Sequence, residues 1–467
     1  MRRHSGVMVV WALCVSLAWT AAAGQVGGGA LGKRYINGVY GFSFRTPAGA
    51  QRKRDFSKKR LVTWTGRDER TGAIAWTLAV SHVREVKMTE ADLNRYKDAL
   101  VKTLEKDENF KIDLARVAPV AGKPAIDLRG TSGGELRLWQ RQMWVEIRRS
   151  EFLIFRISGP VTLKERIDAI VAAVAESLQV VDPTAARKQR IANLERGESL
   201  LNGITPRVMS GVIQPRAQWF MLKMKGKPAG FVKIEEKARA YKGVDGYAVT
   251  TWVMMEFPGT PVRLMRREMF TTADRKLERW REQWQAGSGK LARNGAEDGL
   301  RDGDMIVCHI DTGGQIRTNK PKKAPMRIYL PRAMGMLLPR LVDLTKPASY
   351  AFATYTSLAN DFDMRTLTVV GPDKLTTLAG AVEAVRIVDR PAEDEEPATV
   401  WVARGGQVLR MQSADGFVMD AATEAAVLRR HPKAKLIVLA LDGKVPPKKP
   451  KPGKGAKAPG SEHFDEK

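Results

Sequence analysis

From Gln218 to Ser413 the chain presents one strand-length run after another, with a single helix-periodic segment among them, and this succession restricts the fold more than any other feature. Gln218–Met224 and Gly230–Lys237 flank Lys225, Gly226, Lys227 and Pro228, a turn composition that predicts a hairpin. Tyr247–Phe257, Val262–Thr271, Lys276–Gln285 and Asp302–Asp311 follow, and then Phe362–Val370, Leu375–Leu378, Val382–Val388, Val400–Ala403 and Gln407–Ser413. In Asp302–Asp311, alternation puts Ile306, Cys308 and Ile310 on one face and Met305, Val307 and His309 on the other. About ten strands in series would leave long exposed edges in a flat sheet, so residues 204–441 are expected to form a large curved antiparallel sheet or half-barrel. The interrupting helix is marked by Met334, Leu337, Leu338 and Leu341 at i, i+3, i+4 and i+7, with Pro331 suited to its first turn and Pro339 near its end.

Residues 33–183 follow another order. Phe42 and Phe44 alternate with Ser43 and Arg45, so Tyr35–Pro47 reads as an opening strand. Leu61–Thr65 and Ala73–Val83 suit a hairpin, with Ile74, Trp76, Leu78 and Val80 on one face of the second strand. Thr89 and Asp92 resemble a capping box ahead of a helix whose seam is Leu93, Tyr96, Leu100, Val101 and Leu104. Strands are expected at Phe110–Val117, Pro124–Gly130, Glu135–Ile147 and Phe152–Ser158, and a closing helix at Leu163–Leu178. Strands, a helix, more strands and a terminal helix make an α+β unit, an antiparallel-sheet sandwich with flanking helices. Ala185–Asn202 has helical composition, so residues 184–203 are expected to be a helical linker.

Two stretches carry family resemblances. Tyr40, Gly41, Phe42, Phe44 and Pro47, the phrase Ala121–Ala125 leading a strand, and the closing helix before Leu178 resemble the PsbP-like α/β/α sandwich, which implies a binding or assembly module. Met224–Gly230 and Trp401–Arg410 resemble hairpins of the LolA-like lipoprotein-localisation half-barrel and its relatives of unknown function. That likeness implies an apolar concavity lined by the inserted helix, with Tyr329, Met334, Leu337 and Leu341 at its border as ligand-binding residues. The same methionine and leucine stripe also suits simple core packing.

The first 23 residues have the form of a secretory signal: Arg2 and Arg3, an apolar run from Val7 to Trp19 too short to span a bilayer, and Ala21, Ala22 and Ala23 for cleavage. An uncleaved anchor is the alternative. Export places the mature chain in the periplasm or outside the cell. Of Cys14 and Cys308, cleavage leaves only Cys308, which excludes an internal disulfide. The net charge of +27 becomes +25 without Arg2 and Arg3, which favours anionic partners; export turns that expectation from nucleic acid to envelope surfaces, with peripheral membrane contact among them. Residues 442–467 form a Lys/Pro-rich tail expected to be disordered, with six lysines between Lys444 and Lys457 that suit an electrostatic tether.

No stretch spells out a catalytic centre. Cys308 and His309 are adjacent, but neighbours on a strand point to opposite faces. His82, His309, His431 and His463 lack metal-ligand spacing. Ala286–Lys290 has the wrong residues for a phosphate loop, and Asp298, Asp302 and Asp304 lack the pattern of a calcium loop, so both read as turns. Aromatics such as Trp139, Trp144, Trp219, Trp252, Trp280, Trp284 and Trp401 are expected mostly in the core. The expectation is an exported, non-enzymatic binding or assembly protein of the cell envelope, with no cofactor, no metal and no nucleic acid. Its partner would be an envelope protein, an anionic surface or an apolar ligand. The alternative is a periplasmic carrier of a lipid or other apolar ligand.

Overall fold

The structure, a computed structural model, describes residues 31–443 except 39, 54–60, 69–70, 85–91, 107–109, 134–136, 258–259, 288–291, 378–379, 394 and 415. The expected signal, Thr89 of the capping box, most of the glycine-rich stretch after Ala286 and the lysine-rich segment from Lys444 lie outside these residues. The chain divides into two compact units. One is built on residues up to Ser199 with Ser349–Leu367 and Asp389–Pro397, and the other on Leu200–Ala348, Thr368–Val388 and the chain from Ala398 onward.

The first unit is α+β, as the sequence predicts. Its elements run β1 (Leu31–Asn37), β2 (Phe42–Pro47), β3 (Gln51–Lys53), β4 (Val62–Arg67), β5 (Ile74–Arg84), α1 (Asp92–Leu104), β6 (Phe110–Val117), β7 (Ala125–Ser132), β8 (Leu138–Arg148), β9 (Glu151–Pro160), α2 (Lys164–Glu176) and β10 (Gln179–Val180). Tyr35–Pro47, expected as one strand, is two strands of a hairpin in a sheet ordered β1-β2-β10, because Gly41 at φ +65° lets the chain reverse before Phe42. The larger sheet is ordered β3-β4-β5-β9-β8-β7-β6 with antiparallel pairing throughout.

Period-two alternation fills both faces of that sheet. Trp139, Met143, Val145 and Ile147 of β8 join Leu153, Phe155 and Ile157 of β9 against Ile167, Ile170, Val171 and Val174 of α2. Trp144 of β8 and Phe152 and Ile154 of β9 point the other way, where Leu93, Tyr96, Leu100 and Leu104 of α1 cover them.

After α3 (Pro183–Asn202) and α4 (Pro206–Val212), the strands of the second half follow: β11 (Gln218–Met224), β12 (Lys227–Tyr241), β13 (Val244–Met255), β14 (Arg263–Thr271), β15 (Leu277–Ala286), β16 (Arg293–Asp302) and β17 (Met305–Asp311), of which β16 is not among the expected strands. Short β18 (Ile316–Thr318) and β19 (Lys322–Lys323) precede α5 (Arg332–Leu341). The last set is β20 (Ala348–Thr356), β21 (Asp361–Thr377), β22 (Gly380–Arg390), β23 (Ala398–Val402), β24 (Val408–Gln412) and β25 (Phe417–Ala422), followed by α6 (Glu424–Arg430) and α7 (Ala434–Leu441).

All of these strands belong to one open sheet, with β19 beside β17 off the main path. From β11 the chain meanders outward to β18; from β20 it meanders back through β25, which pairs with β11. The expected hairpin turn is present: Met224 pairs with Lys227, and Lys225 and Gly226 take φ +48° and +79°, the two positive angles of a type I′ turn. Phe362–Val370 and Leu375–Leu378, expected as separate strands, fall on one strand: β21 takes in Phe362–Val370 and Leu375–Thr377, with Gly371 at φ +128° carrying the chain through, while Leu378 lies outside the described residues. Asp298–Asp302, expected in a turn, lies in β16.

At three ladder positions, one on β4–β5 and two on β15–β16, glycine lies against the indole of the facing tryptophan. Gly66 is opposite Trp76, Gly295 opposite Trp284 and Gly299 opposite Trp280. A Cβ at these glycines would lie 2.1, 2.1 and 2.0 Å from the facing indole, so each ring lies flat over backbone that only glycine leaves clear.

Candidate functional site

Within the second unit, β15 carries Leu277, Glu278, Arg279, Trp280, Arg281 and Glu282, of which Glu278, Trp280 and Glu282 are buried on the face that α5 covers. Register then decides what they meet. On one side Arg267 of β14 stands opposite Glu282; on the other, Arg301 and Glu297 of β16 stand opposite Glu278 and Glu282. Glu282 and Glu297, like charges directly across a ladder, need cations nearby. Arg267 supplies one, donating Nε to Glu282 Oε2 at 2.5 Å. Arg332, the first residue of α5, supplies the other, with Nη2 2.8 Å from Glu297 Oε1 and its guanidinium 4.3 Å from the Trp280 ring centre. Trp280 Nε1 donates to Glu297 Oε1 at 2.6 Å.

The same residues fasten the start of α5. The Arg332 backbone N–H donates to Glu278 Oε1 at 2.7 Å, so a carboxylate meets the amide end of the helix. Glu278 Oε2 accepts the Tyr329 hydroxyl at 2.7 Å and lies 3.5 Å from Arg301 Nε, while the Arg301 guanidinium lies 4.8 Å from the Tyr329 ring centre. At the other end Arg340 Nη2 donates at 2.5 Å to Glu236 Oε1 of β12. Four arginines and four glutamates are thereby matched in ion pairs under and beside one helix. Arg267, Glu278 and Arg301 are 0% exposed, an arrangement in which lost hydration is offset only by complete pairing. Pairing is incomplete in places: Glu282 Oε1 and Arg301 Nη2 are buried without a hydrogen-bond partner.

Acidity follows from this burial. Burial pushes the Glu282 carboxyl above its ordinary value, with the Glu297 charge adding to it against the pull of Arg267. Arg267 is lowered, chiefly by burial. Burial alone would lower Arg332 too, but Glu297 and its other anionic neighbours carry it upward. The Tyr329 phenol is held well above its ordinary value by burial and then by Glu278. Cys308, which faces Gly299 across the ladder, has its thiol pushed up to about 12, by burial first and the Glu297 charge second.

The residues singled out from sequence fall in one place. Tyr329, Met334 and Leu337 are buried and Leu341 is half-buried, the first just ahead of α5 and the others along it. The face beneath them carries the charged pairs as well as Met265, Met269 and Val253, so it is not the uniformly apolar lining that the half-barrel likeness implies. Arg267, Glu278, Glu282, Glu297 and Arg301 were invisible as a site because charged residues alternating on a strand ordinarily mark a solvent face.

His309 and Cys308 point to opposite faces as expected: Cys308 is buried, while His309 is exposed with Nδ1 2.9 Å from Thr318 Oγ1. Asp298 pairs with Arg279 and Asp304 with Lys323. Among the described residues no three His, Cys, Asp or Glu side chains are grouped to hold a metal ion.

A smaller ionic cluster sits in the first unit. Asp127 of β7 accepts Arg141 Nε and Nη2 at 2.8 and 3.0 Å and Arg129 Nη2 at 2.8 Å. Asp168 of α2 accepts Trp139 Nε1 at 2.8 Å and pairs with Arg129 at 3.3 Å.

No protein-family model matches the chain, and no curated protein matches it. Solved structures give partial likenesses. A cyanobacterial PsbP from Synechocystis is 18% identical with a TM-score of 0.26, covering 34% of this chain and 98% of its own. A β-barrel-like protein of domain of unknown function DUF1849 from Brucella abortus is 15% identical with a TM-score of 0.32, covering 45% of this chain and 95% of its own. A protein of unknown function from Pseudomonas aeruginosa, described as a putative regulator, is 17% identical with a TM-score of 0.20, covering 27% and 83%. Scores this low carry no argument about activity. These likenesses do not show the lipoprotein-localisation half-barrel.

Proposed function

We propose that the chain is an exported, non-enzymatic binding or assembly protein of the cell envelope. The observation that carries this reading is the state of the interior groups around α5. A nucleophile or base must exchange its proton near neutral pH, whereas burial pushes the Cys308 thiol up to about 12 and holds the Tyr329 phenol higher than usual. The carboxylates there are already engaged: Glu278 accepts Tyr329 and the Arg332 amide, Glu297 accepts Trp280, and Glu282 pairs with Arg267. Such groups suit fixing a helix to a sheet, which leaves the outer surfaces to meet a partner. The address rests on residues 1–23.

Native mass spectrometry of the full chain purified from the envelope of its source cells tests both parts. The expected result is a chain without the first 23 residues and without adduct. A retained leader would contradict export with cleavage. One tightly held lipid per chain, retained after detergent washing, would contradict the binding reading and favour the carrier.

A further inference from the structure

Helix α7 is apolar on both sides. Ala434, Ile437, Val438 and Leu441 fall at i, i+3, i+4 and i+7 and pack with Trp219, Phe231 and Trp252 on the sheet and with Val427 of α6. The outer side of such a helix ordinarily carries charge, yet here Leu436 is 58% and Leu439 39% exposed, with Ala440 exposed beside them. The helix is held in place at its end: Asp442 Oδ1 accepts Trp252 Nε1 at 2.9 Å and Arg266 Nε at 3.0 Å. The two leucines therefore sit on an anchored element.

The surroundings are cationic. Arg429, Arg430 and Lys433 are exposed in the last turn of α6 and the link to α7, and Lys435 is exposed on α7 itself, paired with Glu424 at 3.1 Å. Directly after Gly443 the sequence continues with six lysines between Lys444 and Lys457. A second copy docking by the same face would bring these like charges together, whereas an anionic lipid surface takes apolar side chains at its acyl boundary and cations among its headgroups.

We infer that the outer face of α7, through Leu436 and Leu439 with the basic residues around them, is a peripheral docking surface for anionic lipid membranes. This names a partner for the binding protein proposed above. It fails separately from that reading, because docking is read on vesicles whether or not the leader is removed.

The test is flotation of the full chain with phosphatidylcholine–phosphatidylglycerol vesicles and with pure phosphatidylcholine vesicles. Binding is expected to the anionic vesicles and to be weakened by salt. Leu436→Gln with Leu439→Gln is expected to weaken it roughly tenfold with an unchanged circular dichroism spectrum, since both side chains already face solvent. Replacing Arg429, Arg430 and Lys433 by Gln should produce a loss of similar size. The inference is overturned if the leucine variant binds as the parent does and only Gln at the six tail lysines abolishes binding. It is equally overturned if the parent sediments as a dimer that the leucine variant dissociates while neither binds vesicles.

Discussion

Asp127 in the first unit and Glu282 in the second are both carboxylates buried against arginine, and their acidities move in opposite directions. Burial raises both. At Asp127 it is outweighed by the hydrogen bonds from Arg129 and Arg141 and by their charges, so the carboxyl is held below its usual value. Arg129, with 24% of its side chain exposed, keeps part of its hydration while it donates. At Glu282 burial prevails: its partner Arg267 is itself fully buried, Glu297 stands across the ladder, and one carboxylate oxygen lacks a donor. One ion pair therefore stabilises its unit, while the other costs the fold hydration that pairing only partly restores. Helix α5 is secured over that second face by the carboxylates of Glu297 and Glu236, which pair with Arg332 and Arg340.

This contrast has consequences for substitution. Arg267→Met alone would leave Glu282 buried without its cation and is expected to destabilise the second unit by roughly 3–5 kcal/mol in urea denaturation. Arg267→Met combined with Glu282→Leu is expected to restore most of that loss, because the hydration cost leaves with both charges. A double variant as weak as the single one would mean that the pair stabilises as Asp127 does.

In the first unit the expected effect is smaller and depends on pH. The folded-state pKa of Asp127 lies below its unfolded value, so its contribution is present above about pH 4 and is lost as pH falls through the folded-state pKa. Asp127→Asn is expected to cost about 1.5–3 kcal/mol at neutral pH, the range for hydrogen bonds to a charged group. It should also flatten the acid limb of stability below pH 4. An acid limb as steep in the variant as in the parent would assign the limb to other carboxylates.

The two regions also differ in how far their sequence disclosed them. The first unit was legible because its strands and helices follow apolar periods: α1 and α2 fall where Leu93–Leu104 and Leu163–Leu178 predicted them, and Trp76, Leu78 and Val80 share the face expected of them. In the second unit β17 was read correctly down to its faces, with Ile306, Cys308 and Ile310 inward. Its neighbour β16 was not, since Arg293–Asp302 holds only Ala296 and Leu300 as apolar side chains and its two glycines suggest turns. What makes it a strand is tertiary: Gly299 receives the Trp280 ring, while Glu297 and Arg301 meet Arg332 and Glu278. Those partners lie tens of residues away or on a strand whose register no local pattern fixes. The stripe Met334, Leu337 and Leu338 located α5, but it gave no sign that Arg332 and Arg340 pin the helix at its two ends.

If α5 is held as part of the core, its amides should open only when the second unit unfolds. Native-state hydrogen exchange at Met334, Met336, Leu337 and Leu338, compared with that at Trp280 and Glu282 of β15, measures this directly. The expected result is one shared opening free energy for the helix and the strand, equal to that of global unfolding of the unit. Exchange of the α5 amides through a local opening several kcal/mol cheaper than that of β15 would contradict it, and would make the helix a movable cover over the sheet.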